Sequence, residues 1–187
     1  MLDRFYPVVP DAGWVVRLVS VGTRLIQLRI KDQPVEEIRR QLRQARSACA
    51  AAGAQLIVND YWQAAIDEGC DYVHLGQEDL LDADIEALRK AGLRIGVSTH
   101  DHAELEKGLA IDPDYVALGP IYPTKLKQMP WAPQGTERLR EWKRLIGKRF
   151  VVDTPFERLQ HFPRYLKAIG VRLDKLKANA TRDAQAM

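Results

Sequence analysis

Cysteine is nearly absent from this chain. Cys49 and Cys70 are the only two, they lack metal-type spacing, and two thiols make no disulfide framework. Cys49 lies in an alanine-rich stretch and Cys70 just ahead of an apolar run, so both are expected to be buried and reduced, as in a cytoplasm. Long apolar runs are lacking as well. None approaches the roughly 20 residues that span a bilayer, and the opening MLDRFYPVV has no signal-peptide layout. No membrane partner is expected. Charge of one sign is scarce: residues 1–149 carry 21 Lys/Arg and 21 Asp/Glu, and the net +3 comes wholly from residues 150–187, with 7 against 4. A nucleic-acid partner would need a concentrated basic face with aromatic platforms, which the first 149 residues do not hold. No GxGxxG follows the first strand-length run, so a dinucleotide fingerprint is missing too.

What is present is alternation. Apolar runs of strand length recur at Phe5–Val9, Leu25–Leu28, Leu56–Val58, Tyr72–Leu75, Arg94–Val97, Tyr115–Leu118 and Phe150–Val152, with a weaker eighth near Val171–Leu173. Helical periods separate them; Val35–Ala52 places Ile38, Leu42 and Ala45 at i, i+4 and i+7. Gly22, Gly53, Gly69 and Gly92 stand where helices return to strands, as C-terminal caps do. Such alternation builds a parallel sheet with crossover helices. A chain of 187 residues is most simply one domain. Six to eight units in that length predict an α/β fold of the compact (β/α)₈ TIM-barrel type, with a doubly wound sheet as the alternative.

In such a barrel chemistry collects at the C-terminal ends of the strands. There the sequence offers Gln27, Arg29 and Lys31 after the second run, Asn59 and Asp60 after the third, and Asp79 after the fourth. Ser98, Thr99 and His100 follow the fifth, and Gly119 to Lys127 the sixth. Within LIVNDYWQAAIDEGCDYVHLGQEDL, residues 56–80, Asp60 and Asp79 become neighbours at one sheet edge. Two carboxylates at such an edge suit a hard, oxygen-seeking cation such as Mg²⁺. The plainer reading has Asp60 capping the following helix, Asp79 in a solvated turn, and Arg29 and Lys31 as solvated strand ends. His100 and His102 stand two apart with no cysteine near, and Glu104 reads as a helix N-terminal acid. His74, inside YVHL, reads as a hydrogen-bonded core residue, and Trp62, Tyr122 and Trp131 as packing. Cations, amides, carboxylates and hydroxyls at the strand ends together form the inventory for a metal-bound, anionic substrate.

The segments IQLRIKD (26–32), LIVNDYWQAAI (56–66), VHLGQEDL (73–80), GVSTHDHAE (96–104) and ALGPIYPTKLKQMPWAPQG (117–135) resemble thiamine phosphate synthase, in family order over roughly residues 5–147. The resemblance implies a (β/α)₈ barrel that joins hydroxymethylpyrimidine diphosphate to a thiazole phosphate and releases diphosphate. It implies Mg²⁺ held by Asp60 and Asp79. It implies a pyrimidine diphosphate site at Gln27, Leu28, Arg29, Ile30, Lys31, Asn59, Ser98 and Lys127, with Arg29, Lys31, Ser98 and Lys127 acting in catalysis. Thr124, Lys125 and Leu126 match the segment that holds the thiazole phosphate; Leu126 replaces a threonine found in many members.

Beyond about Lys148 the sequence departs from that pattern. FVVDTPFERL puts Asp153 near an expected Gly-Gly turn, and VRLDKLKANATRD is charged where a barrel-core strand should be apolar. Irregular or incomplete closure at strands seven and eight is therefore expected, with Lys175 and Lys177 as substitute positive charge. Two other functions compete with synthesis: a non-catalytic barrel that keeps only the pyrimidine diphosphate and Mg²⁺ half-site, and a thiazole tautomerase-like protein. The second of these should lack the clamp that Gln27, Arg29, Asn59, Asp60 and Asp79 make up.

Overall fold

The structure is a computed structural model that describes residues 2–3, 5–121 and 132–146 and the strand at 149–152. Seven strands form one parallel sheet in sequential order: β1 (Val8–Val9), β2 (Leu25–Leu28), β3 (Gln55–Asn59), β4 (Tyr72–Leu75), β5 (Arg94–Thr99), β6 (Tyr115–Leu118) and β7 (Arg149–Val152). The helices are α1 (Ala12–Ser20), α2 (Val35–Ala52), α3 (Trp62–Asp67), α4 (Gln77–Asp82), α5 (Ile85–Lys90), α6 (His102–Ala110) and α7 (Gly135–Leu145). Strand–helix alternation and a parallel sheet follow the expectation. The region of the expected eighth strand, Val171–Leu173, lies outside the described residues.

Local chemistry explains the breaks. Asp11, Asp84 and Asp101 each accept a hydrogen bond from the backbone N–H three residues on, and so cap α1, α5 and α6. Gly53 ends α2 in the left-handed region, at φ 63°, where a side chain would be strained. The period of α2 turns Ile38, Leu42, Ala45 and Cys49 toward the sheet, and all four are buried. Cys70 is buried as well, and burial pushes both thiols up to about 11, far from a reactive thiolate.

Successive side chains of each strand go to opposite faces. Ile26 and Leu28, Leu56 and Val58, Val73 and Leu75, and Ile95 and Val97 pack with the helices in the main core. The alternate residues Leu25, Ile57, Tyr72 and Tyr115 form a separate buried cluster on the other face. Gln27, Asn59, His74 and Ser98 share the parity of that second set, closer to the strand ends. Burial on both faces is the rule for a parallel sheet, but here the second face carries polar groups.

Gly96 shows how tightly that face is filled. It pairs in register with His74 on β4 and Tyr115 on β6. A Cβ on Gly96 would meet the Tyr115 ring at 2.1 Å. The missing side chain lets Tyr115 lean across β5 and stack on His74, with ring centroids 5.6 Å apart and planes 14° apart. We therefore expect Gly96→Ala to destabilise the fold by at least about 1–3 kcal/mol, the usual range for overpacking. Urea denaturation measures this; an unchanged midpoint would show that Tyr115 does not depend on the gap.

Candidate active site

Beyond the strand ends, β2 leads to Arg29 and Lys31, β3 to Asn59 and Asp60, β4 to the short helix α4 that carries Asp79, and β5 ends through Ser98 and Thr99. Period-two alternation sorts the stretch after Gln27. Leu28 and Ile30 are buried in the helix-side core, so only their backbone groups remain for a ligand, whereas Lys31 is exposed. Gln27 does not follow the strand as the sequence suggested. It lies within β2, buried, at the level of Ile57 on β3. Ser98 likewise belongs to β5 itself.

The two carboxylates come together. Asp79 sits at the third position of α4, not in a solvated turn, and accepts a hydrogen bond from Gly76 N at 3.2 Å. Burial and the adjacent Asp60 carboxylate raise the Asp79 pKa, while Gly76 N–H and Lys31 pull it back. Lys31 Nζ lies 2.7 Å from Asp60 Oδ2. Asp60 adopts φ 62°, uncommon for a residue with a side chain, and its N–H donates to His74 O at 2.9 Å. It does not cap α3: the residue at that position is Tyr61, without a side-chain cap bond. Asp60 is thus turned toward Lys31 and Asp79 and away from the helix end.

Two further groups stand ready for a ligand. Asn59 is buried, and its Nδ2 has no hydrogen-bond partner among the described residues. A buried amide N–H without an acceptor is costly unless something binds there. Arg29 has no carboxylate partner among the described residues, and its charge reaches far enough to lower the His74 pKa. Gln77 ties the start of α4 to β5 by donating from Nε2 to Ser98 O at 2.6 Å. Glu104 accepts from both His100 N, at 2.8 Å, and His100 Nδ1, at 2.7 Å, so it serves the start of α6 as expected. Thr124, Lys125, Leu126 and Lys127 lie outside the described residues, as do Tyr122, Trp131, Asp153, Lys175 and Lys177.

The sequence reading missed a polar chain beneath these ions. Tyr6, just before β1, pairs its hydroxyl with Tyr115 at 2.7 Å, and Gln27 Nε2 donates to Tyr6 at 3.0 Å. His74 bridges the Tyr115 hydroxyl, 2.7 Å from Nδ1, and Ser98 Oγ, 2.8 Å from Nε2. His74 is a core residue, as read, but it touches a site residue. The one sequence signal for this chain of contacts was an isolated glycine inside a strand, which marks a close approach.

The fit to Mg²⁺ follows from this donor set. Among the described residues no group of three His, Cys, Asp or Glu side chains is placed to hold a metal. Mg²⁺ bound through one or two carboxylates takes its other ligands from water and substrate phosphates. A carboxylate pair flanked by cations matches that substrate-bridged arrangement, and an all-protein cage is not required.

The class is that of a parallel α/β protein that gathers carboxylates, cations and an unpaired amide beyond adjacent strand ends. The thiamine monophosphate synthase family model matches residues 6–153. The thiamine-phosphate synthase of Rhizobium etli is 62% identical over 146 residues, covering 78% of this chain and 72% of that protein. That of Neisseria meningitidis serogroup B is 47% identical over 149 residues, covering 80% and 73%. The thiamine phosphate pyrophosphorylase structure from Pyrococcus furiosus shares the fold with a TM-score of 0.70 at 24% identity, over 89% of this chain and 81% of that one. The chain belongs to the thiamine monophosphate synthase family.

Burial holds His74 well below the usual imidazole value, at about 4. The unfolded chain, with an ordinary value near 6.5, binds this proton before the folded chain does. Stability from this group is therefore complete above about pH 6.5 and falls as pH drops toward 4, by up to roughly 3 kcal/mol. Urea midpoints of metal-free protein across that window should fall with acid, and by less in a folded His74→Gln variant. Equal slopes in the two proteins would remove His74 as the cause.

Proposed function

We propose that this chain is a thiamine-phosphate synthase: it joins hydroxymethylpyrimidine diphosphate to thiazole phosphate and releases diphosphate. The observation that carries the reading is the pairing of Asp60 and Asp79 beside Lys31 and Arg29, under family membership over residues 6–153. The rest of the reading is a single-domain (β/α)₈ barrel, irregular or incomplete at strands seven and eight, working in the cytoplasm on small molecules without nucleic-acid or membrane partners. No helix among the described residues is long and apolar enough to cross a membrane.

Asp60 and Asp79 would hold Mg²⁺, which neutralises charge on the diphosphate when bound. Arg29 and Lys31 add fixed positive charge for the leaving group, with Lys127 assigned to the same task by the family motif. Asn59 offers its unpaired N–H to the same ligand, and Gln27 and Ser98 orient the pyrimidine. The methylene C–O bond breaks and its electron pair leaves with the diphosphate. The electron-rich ring steadies the resulting cation. The thiazole nitrogen lone pair then forms the new C–N bond. Neither step needs a protein nucleophile or a strong base, which accords with a site of ionic clamps. Thr124, Lys125 and Leu126 are assigned to the thiazole phosphate.

The direct test supplies both substrates and excess Mg²⁺ to folded protein. We expect thiamine phosphate to form and a chelator to stop it; no product would overturn the reading. Calorimetric binding of the pyrimidine diphosphate without turnover would identify the half-site protein instead. Asp60→Ala and Asp79→Ala should each lower kcat by about a hundredfold or more, the scale of losing an electrostatic clamp, with circular dichroism unchanged. Parent-like rates in either variant would remove that residue from the metal site.

A further inference from the structure

The one directed hydrogen bond beneath the strand ends, from Gln27 Nε2 to Tyr6, constrains the sense of the others. A phenol has a single proton to donate. Tyr6 accepts one from Gln27 Nε2, and its own proton has only the Tyr115 oxygen as acceptor among the described residues. The Tyr115 proton is then left for His74 Nδ1. A neutral imidazole that accepts at Nδ1 carries its proton on Nε2, and Nε2 faces Ser98 Oγ. Ser98 therefore accepts on the inner side and keeps its own proton for a partner on the outer side. In the reverse sense Tyr6 would accept twice and its proton would have no acceptor among the described residues, an arrangement a half-buried polar site disfavours.

We propose that His74 is a positioning residue, held by Tyr115 and Tyr6 in the Nε2–H tautomer so that Ser98 presents a hydroxyl proton, and not a lone pair, to an acceptor atom of the bound pyrimidine diphosphate. The ligand in this statement rests on the function proposed above; the polarity of the hydrogen bonds does not. The geometry makes His74 depend on a gap in the one strand that separates it from Tyr115. Tyr115 reaches it only because Gly96, between them, has no side chain. The same polarity reaches the other end. Gln27, with its amide nitrogen given to Tyr6, keeps its oxygen as an acceptor.

Nitrogen-15 NMR of histidine-labelled, full-length protein near pH 7.5 without ligands reads the tautomer directly, with His74→Gln assigning its resonances among the four histidines. We expect a bare Nδ1 and a protonated Nε2; a protonated Nδ1 overturns the proposal whatever the activity. Tyr115→Phe removes the donor to Nδ1. It should give a mixed-tautomer spectrum and lower kcat about tenfold, the scale of one hydrogen bond, without changing KM for thiazole phosphate. An unchanged spectrum and rate in that variant overturn it too. His74→Gln keeps an N–H for Ser98 and should retain activity within a few-fold of the parent, whereas His74→Leu should lose about tenfold or more. Equal losses in two folded variants would show a merely structural histidine. If the parent protein makes no thiamine phosphate, the function falls while the spectrum still decides the polarity.

Discussion

In a parallel strand every second residue points to the same face, and here both faces are buried. That constraint governs the rest of the structure. The face toward the helices is filled by Ile26, Leu28, Val58, Val73, Leu75, Ile95 and Val97, which need only shape and apolar surface. The other face is mixed: the buried cluster of Leu25, Ile57, Tyr72 and Tyr115 adjoins Gln27, Asn59, His74 and Ser98. Buried polar groups have to find partners within the protein or in a ligand. Tyr6, Tyr115, His74, Ser98 and Gln27 satisfy one another, and Asn59 Nδ2 is left without a partner among the described residues.

Beyond the strand ends the arrangement opposes stability locally. Burial, together with the adjacent Asp60 carboxylate, raises the pKa of Asp79, and Asp60 holds a left-handed backbone conformation. The Asp60 backbone extends the β3–β4 pairing through its N–H to His74 O, while α3 takes nothing from the side chain. Lys31 relieves part of the repulsion through its ion pair with Asp60. A site that stores like charges this way is prepared for a cation and a polyanion together. Strain and repulsion kept at strand ends are tolerated because the sheet beneath is packed on both faces.

Much of the fold was legible because its signals are local. The bounds of β2, β4, β6 and α2 agree with the runs and periods read from sequence, since each begins and ends on a sharp change in polarity or a glycine. Helix α4 was missed. Its Gln77–Asp82 sequence is short and acidic, with no apolar period, and it is held by Gly76 and by the bond from Gln77 to Ser98 O. Gln27 stands inside β2 and not after it, a polar residue kept within a buried strand because its amide reaches the Tyr6 hydroxyl.

By itself the sequence determined the order of strands and helices, the alternation that separates Leu28 and Ile30 from Gln27, Arg29 and Lys31, and the charged residues at the strand ends. Those follow from spacing of two or of about four residues, which one segment carries without its neighbours. Only the tertiary structure decided which of those residues meet. Tyr6 and Tyr115 are 109 positions apart and touch through their hydroxyls, and Tyr115 reaches His74, 41 positions away, by crossing a strand. No local pattern encodes such contacts, because they depend on the register of three adjacent strands and on the one position, Gly96, where the middle strand leaves room.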